Sequence, residues 1–185
     1  MIEFLDGEIT VFDAPLGVMT NAPTYDWHLT NLRNYVNLSP VAVAPVELSA
    51  EDLKPLGVGS GMIGLPGDFT PPSRFVRAIA FTQTARETAD GKDTAMELFR
   101  ILDNFNLPLP VLGPDEAGDL TGMVSATQWT TALDVTNRQF HFHSAQNRRI
   151  QHIDLTTLDF AGLEGIAYLP LNSADGQDMM TLTLP

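Results

Sequence analysis

The chain has 185 residues, enough for one domain with a substantial core, and 44% of them are hydrophobic, as in globular proteins. Its 23 acidic and 10 basic residues give a net charge of −13, which repels phosphate backbones and anionic membrane surfaces. We therefore expect neither a nucleic-acid partner nor a membrane partner. The sequence contains no cysteine, which excludes disulfides, thiolate metal sites and cysteine catalysis by these residues.

The first elements are predicted to be strands. Residues 2–4 and 9–11 alternate in polarity around Asp6-Gly7, which is typical of a β-hairpin. Residues 16–20 predict another short strand. The chain thus opens on strand residues with no lead-in, and we expect that sequence is absent upstream.

Helical signals occupy the middle of the chain. Residues 26–38 space their apolar side chains as a helix does, and residues 49–52 predict the first turn of another. Ser73 is predicted to cap a helix over residues 73–81, with Phe75, Val76 and Ile79 facing inward. A capping box at residues 94–97 predicts one more helix.

The rest of the chain combines a glycine-rich segment with strands. Residues 57–67 hold five glycines without the Lys-Ser/Thr of a phosphate loop, so a close-packed turn is favoured over a nucleotide site. Residues 128–135, 139–144 and 149–155 predict a three-stranded antiparallel meander, followed by two short edge strands beyond residue 158. Strands, then helices, then strands indicate an α+β fold.

Asn21 lies at the end of an apolar segment, immediately before a turn. An amide NH2 can donate to an oxyanion without changing its protonation state, so Asn21 is a candidate oxyanion donor. The alternative is an Asx turn, because asparagine commonly precedes turns.

Arg74 lies in the first turn of its predicted helix, where the helix dipole disfavours a cation. We therefore expect its side chain to have a partner elsewhere. The alternatives are a surface arginine, or a structural ion pair with Asp68 or Glu51.

His141 and His143 share one face of a predicted strand, a spacing that zinc can use. His28 and His152 are further candidate ligands, but no third ligand follows at a recognisable spacing. Alternating polar residues on a solvated strand face explain the pair as well. The sequence accordingly predicts neither a metal nor a cofactor.

Three stretches together resemble the choloylglycine hydrolase family, which includes bile salt hydrolases and penicillin V acylases. They are Thr20-Asn-Ala-Pro-Thr-Tyr-Asp-Trp-His28, Asn31-Leu-Arg-Asn-Tyr35 and Gly64-Leu-Pro-Gly-Asp-Phe-Thr-Pro-Pro-Ser-Arg-Phe75. Residues from Thr127 to Tyr168 also follow the family's C-terminal strands. The resemblance implies that residues 1–185 are the C-terminal part of an αββα N-terminal-nucleophile hydrolase sandwich, with antiparallel sheets and flanking helices.

The resemblance also implies a mechanism and a set of partners. In the family an N-terminal cysteine attacks the amide carbonyl, Asn21 matches the oxyanion donor, and Arg74 matches the active-site arginine. Expected partners are a small N-acyl amide substrate, the missing N-terminal half of the same domain, and further copies in a homotetramer of the parent. The sequences of residues 31–41 and 70–75 are closer to the penicillin V acylase-like, Gram-negative members, which are usually exported to the periplasm. The resemblance leaves bile salts, penicillin V and other N-acyl amides, including acyl-homoserine lactones, open as substrates.

Three hypotheses compete at this point. The first is the C-terminal part of a linear amide hydrolase, inactive without its nucleophile. The second is a non-catalytic binding or assembly module built on the same half-fold. The third is a histidine-based metal protein.

Overall fold

The computed structural model describes residues 1–107, 127–162, 164–166 and 168. The chain divides into two compact units, Met1–Arg86 and Glu87–Pro185. The strands of the described residues pair in antiparallel sheets, and helices accompany them, so the predicted α+β class is confirmed. No helix in these residues combines the length and apolarity that crossing a bilayer needs.

Two hairpins belong to the first unit. The predicted one is confirmed: β1 (Ile2–Leu5) pairs with β2 (Glu8–Val11), and Asp6 and Gly7 both have positive φ, as a tight hairpin turn requires. The second hairpin joins β3 (Val46–Leu48) to β4 (Glu51–Leu53). The helical turn predicted for residues 49–52 is therefore wrong, because Ser49 and Ala50 take left-handed φ values of 49° and 70°, which no α-helix contains.

The strand predicted for residues 16–20 is also wrong. Gly17 adopts φ 66° in a turn closed by its N–H on the Ala14 carbonyl, and no strand of the described residues pairs with this segment. The apolar pattern of residues 16–20 instead reflects packing in the core, where Val18 is buried.

Two helices pack the core of the first unit. Helix α1 (Tyr25–Leu32) continues as a 3₁₀ turn over Arg33–Tyr35, which confirms the helical prediction for this region over a shorter range. Helix α2 (Pro71–Gln83) begins two residues before Ser73, because its two prolines suit the first helical positions and Thr70 is the N-cap. The predicted inward face of α2 is confirmed. The core consists of Val18, Tyr25, Phe75 and Ile79.

The glycine-rich segment forms a 3₁₀ turn over Val58–Met62. A Cβ on Gly61 would lie 2.1 Å from the Val41 carbonyl oxygen and 2.4 Å from that of Ser39, distances that no side chain tolerates. The prediction of a close-packed turn is confirmed at this position.

In its described residues, the second unit combines an α-helix with the meander. Helix α3 (Gly91–Leu102) is capped by Asp90, whose carboxylate accepts from the Asp93 N–H, so the cap predicted at Thr94 lies one turn too late. The meander is confirmed as β5 (Trp129–Asp134), β6 (Gln139–Ser144) and β7 (Gln151–Asp154), paired in that order. The predicted edge strands beyond residue 158 lie largely outside the described residues.

Candidate active site

The first unit brings Asn21 and Arg74 into direct contact, although 53 residues separate them in sequence. Asn21 follows the segment that buries Val18, and Arg74 projects from the first turn of α2. The Arg74 Nη2 donates to Asn21 Oδ1 at 2.7 Å. The amide oxygen thus has a distant cation as its partner, which is not the geometry of an Asx turn.

This contact determines which way the amide points. A guanidinium can only donate hydrogen bonds, so the oxygen of Asn21 must face Arg74 and its NH2 must face away. A hydrogen bond from a full charge is stronger than a neutral one, and it polarises the amide so that the NH2 becomes a better donor. The pair can therefore present a preorganised donor to an anionic oxygen.

Arg74 is held at a second point, because its Nε donates to the Phe69 carbonyl at 3.1 Å. In the part of the chain that the structure describes, no ion pair joins it to Asp68 or Glu51, the two carboxylates considered from the sequence. Arg74 was expected to have a partner elsewhere in the chain. That partner is the side-chain amide of Asn21 rather than a carboxylate.

His28 holds the main chain of Asn21, a contact that the sequence analysis missed. Its buried Nε2 lies 2.9 Å from the Asn21 carbonyl oxygen and 3.2 Å from Thr20 Oγ1. The ring stacks on Phe75 with centroids 4.8 Å apart and planes 13° from parallel. The sequence signal was that His28 follows Tyr25 by three residues, which places a polar ring on the buried face of α1.

We expect neutral His28 to be the Nε2–H tautomer, because a carbonyl oxygen can only accept and Nε2 must supply the proton. Long-range ¹H–¹⁵N spectra should show a protonated Nε2 and an unprotonated Nδ1. Thr20→Val, the control, should leave this pattern unchanged because the carbonyl is the nearer partner. A protonated Nδ1 in the neutral ring would contradict the geometry.

Asp68 organises the loop before α2, where Arg74 begins. Its carboxylate accepts from Ser73 Oγ at 2.6 Å and from the Thr70 N–H at 2.9 Å. The buried Arg77 donates to the carbonyl of Asp68 at 2.6 Å and to that of Pro66 at 2.8 Å. The loop is thus tied to the first two turns of the helix, and this arrangement supports the position of Arg74.

The same hydrogen bonds, from Ser73 first and then from Thr70, lower the pKa of Asp68 to about 2. A depressed pKa stabilises the folded state at pH values above the unfolded pKa of ~4, and this contribution is lost as the pH falls from ~4 to ~2.

We expect Asp68→Asn to reduce the free energy of unfolding by about 1 kcal/mol at pH 7, a value discounted because the exposed carboxylate is screened by solvent. Thermal denaturation of both proteins should show this difference shrinking towards zero near pH 2. Asp52→Asn, on an exposed aspartate that pairs with the exposed Lys54, is the matched control. An equal Asp68→Asn effect at pH 2 and pH 7 would contradict the assignment.

A small cavity lies beside Asn21. Its volume is about 190 Å³, less than the roughly 300 Å³ at which ligand pockets begin. Glu3, Phe4 and Leu5 of β1 form one wall, and residues 20–24 form the other. These walls can enclose a reacting group but not a whole amide substrate.

The second unit contains the histidine pair considered as a zinc site. His143 is buried, and its Nδ1 lies 3.3 Å from Nη1 of Arg148. Burial and the neighbouring Arg148 lower the pKa of His143. His141 instead stacks on His152, with centroids 5.9 Å apart. The described residues contain no group of three or more histidine, cysteine, aspartate or glutamate side chains placed to hold a metal ion.

Comparison with known proteins identifies relatives of this chain. Residues 1–181 match the model of the linear amide C–N hydrolases, choloylglycine hydrolase family. A bile salt hydrolase/transferase of Clostridium perfringens is 36% identical over 89% of this chain and 48% of its own length. A penicillin V acylase of Pectobacterium atrosepticum is 28% identical over 90% of the chain and 41% of its own length.

A solved structure supports the same relationship. A variant of the conjugated bile acid hydrolase from Clostridium perfringens superposes with a TM-score of 0.79 at 29% identity, over 98% of this chain and 53% of that one. The chain thus spans about half the length of the relatives it matches, and its architecture is that of their N-terminal-nucleophile hydrolase fold. The family match over residues 1–181 and the shared fold lead to one conclusion: the chain belongs to the choloylglycine hydrolase family of linear amide C–N hydrolases.

Proposed function

We propose that this chain contributes the oxyanion donor and the active-site cation of a hydrolase that cleaves N-acyl amide bonds. Asn21 is the donor and Arg74 is the cation. The observation that carries the proposal is the 2.7 Å hydrogen bond from Arg74 to Asn21 Oδ1, which leaves the amide NH2 facing away from the guanidinium. Residues 1–185 form the C-terminal part of the domain in this proposal, and the nucleophile comes from polypeptide outside them.

The proposed reaction begins with a cysteine thiolate of that other polypeptide, as in the family. Its sulfur forms a bond to the amide carbonyl carbon, and the carbonyl π electrons move to oxygen. The Asn21 NH2 donates to this oxyanion. When the carbonyl re-forms, the C–N bond breaks and the amine leaves with a proton from the nucleophile's own α-ammonium group. Water then hydrolyses the thioester and releases the acid.

Arg74 has two roles in this scheme. It fixes and polarises the Asn21 amide, so that no donor has to reorient when the oxyanion forms. Its positive charge also favours a thiolate over a thiol at a neighbouring cysteine. An arginine suits both roles because it remains charged at all physiological pH values.

Two substrate classes follow from the relatives. The Clostridium perfringens protein is named for bile salts and the Pectobacterium atrosepticum protein for penicillin V. The higher identity to the first, 36% against 28%, makes a conjugated bile salt the first substrate to test, with penicillin V second.

The experiment is a reconstitution. The chain is coexpressed with the Cys-bearing segment of the Clostridium perfringens relative that lies outside the match, and the purified complex is assayed with glycocholate and with penicillin V. We expect amide cleavage by the complex and none by either part alone. A verified complex that cleaves no amide contradicts the proposal.

The second candidate function, a non-catalytic binding or assembly module, is favoured by one observation: these 185 residues contain no cysteine to act as the nucleophile. The same reconstitution separates the two functions. A module forms the complex without turnover, whereas the hydrolase requires turnover that depends on Asn21.

A further inference from the structure

The outer face of the first hairpin carries four large apolar side chains, Ile2, Phe4, Ile9 and Val11, which we call the apolar ladder. Ile2 lies opposite Val11 and Phe4 lies opposite Ile9, so all four project from one face of β1 and β2. Their exposures are 72%, 73%, 67% and 71%. Together they present several hundred Å² of apolar surface, as much as the largest patch on a typical monomer.

The orientation of the hairpin is fixed from its other face. Met1 and Phe12 lie on that face and pack against the core, and Glu3 Oε1 accepts the N–H of Tyr25 at 2.8 Å at the start of α1. The hairpin therefore turns a carboxylate inward and its apolar ladder outward. A strand pair usually presents a polar face outward, whereas this hairpin is apolar on its outer face although Met1 and Phe12 already pack against the core from its inner face.

The edges of this hairpin are open as well. In the described residues β1 and β2 form a two-stranded sheet with no third strand. An isolated hairpin is marginally stable, and open edges together with an apolar face invite further strands to pair and to pack. These features indicate a surface built to be covered.

We propose that the apolar ladder is the docking surface for the polypeptide that carries the nucleophile, a proposal that rests on the function proposed above. The relatives have about twice the length that this chain spans, and so contain a segment of suitable size. A second copy of the chain would bring no nucleophile to the cavity beside Asn21, because these 185 residues contain no cysteine.

The position of Phe4 connects this surface to the candidate active site. Phe4 belongs to the apolar ladder and also lines the cavity beside Asn21. A segment seated on the ladder therefore extends the walls of that cavity, which on its own is smaller than a ligand pocket. Docking and completion of the site become one event.

The test uses the full chain and the Cys-bearing segment of the Clostridium perfringens relative, with 1:1 complex formation measured by light scattering and the Kd by titration. Phe4→Thr with Ile9→Thr keeps β propensity and removes one apolar pair of the ladder. We expect its Kd to rise at least tenfold. The matched control is Val36→Thr with Leu56→Thr, two equally apolar side chains that are 82% and 107% exposed outside the hairpin, and it should bind as the original chain does.

Hydrogen exchange on the unmutated chain provides an independent measurement. The amides of residues 2–11 should gain protection in the complex, whether or not the threonine variant folds. No complex, an unchanged Kd or unprotected hairpin amides would overturn the proposal. So would a homodimer that the threonine pair dissolves, because the occupant would then be a second copy. A complex that forms through the ladder without turnover contradicts only the proposed function.

Discussion

Replacing Asn21 with alanine should lower kcat of the reconstituted hydrolase by about 10²- to 10³-fold, the loss of roughly 3–4 kcal/mol that follows removal of one oxyanion donor. The reason is that the Asn21 NH2 faces away from Arg74 and is the donor proposed for the oxyanion. KM should change little, because the donor meets a full negative charge only in the transition state. Steady-state kinetics with glycocholate measure both quantities.

Two further variants sharpen this result. Asn21→Asp keeps the size of the side chain and can still accept from Arg74, but it turns a carboxylate oxygen towards the oxyanion, so it should be at least as damaging as alanine. Asn37→Ala removes an exposed amide elsewhere in the unit and should leave kcat unchanged. An Asn21→Ala enzyme within a few-fold of the original would show that the oxyanion is stabilised by other donors.

Replacing Phe75 with alanine should cost about 3–5 kcal/mol of stability, the usual loss for a fully buried phenylalanine. Its side chain is 0% exposed, meets the Tyr25 ring edge-on at 5.9 Å and stacks on His28. The cavity that remains would remove packing from α1 and α2 together. Urea denaturation followed by circular dichroism measures the change as a shift in midpoint at constant slope.

The control for Phe75 is Phe69→Ala in the loop before α2. Phe69 is 40% exposed, so its truncation should cost about 1 kcal/mol on the usual scale of burial. Comparable losses at both positions would mean that Phe75 is not the centre of this core. Because His28 stacks on Phe75 and holds the Asn21 carbonyl, the core and the candidate site are one structure in this unit.

The turns show how far local sequence could predict this fold. The first hairpin was predictable because Asp6-Gly7 is a residue pair that readily adopts positive φ. Ser49 and Ala50 also adopt positive φ, but serine and alanine do not favour that conformation. The residues of the second hairpin were therefore predicted to begin a helix. The predicted start of α3 was wrong because two sites satisfy the capping rules, Asp90 and the capping box at residues 94–97.

The candidate site was predictable in its residues but not in its contacts. The position of Arg74 in the first turn of α2, where the helix dipole disfavours a cation, predicted that it has a partner. Local sequence patterns could not identify that partner as Asn21, because the two residues are 53 positions apart. The role of His28 was missed because its partner is a main-chain carbonyl, which carries no sequence signal. The family resemblance pointed to Asn21 and Arg74 independently of either argument.

A double-mutant cycle on Asn21 and Arg74 in the reconstituted complex tests most directly whether Arg74 acts by holding the Asn21 amide. We expect Arg74→Ala to lower kcat strongly on its own and much less when Asn21 is already alanine, with a coupling energy of about 1–3 kcal/mol. Effects that add to within about 0.3 kcal/mol would contradict the account, because the two side chains would then act independently of each other.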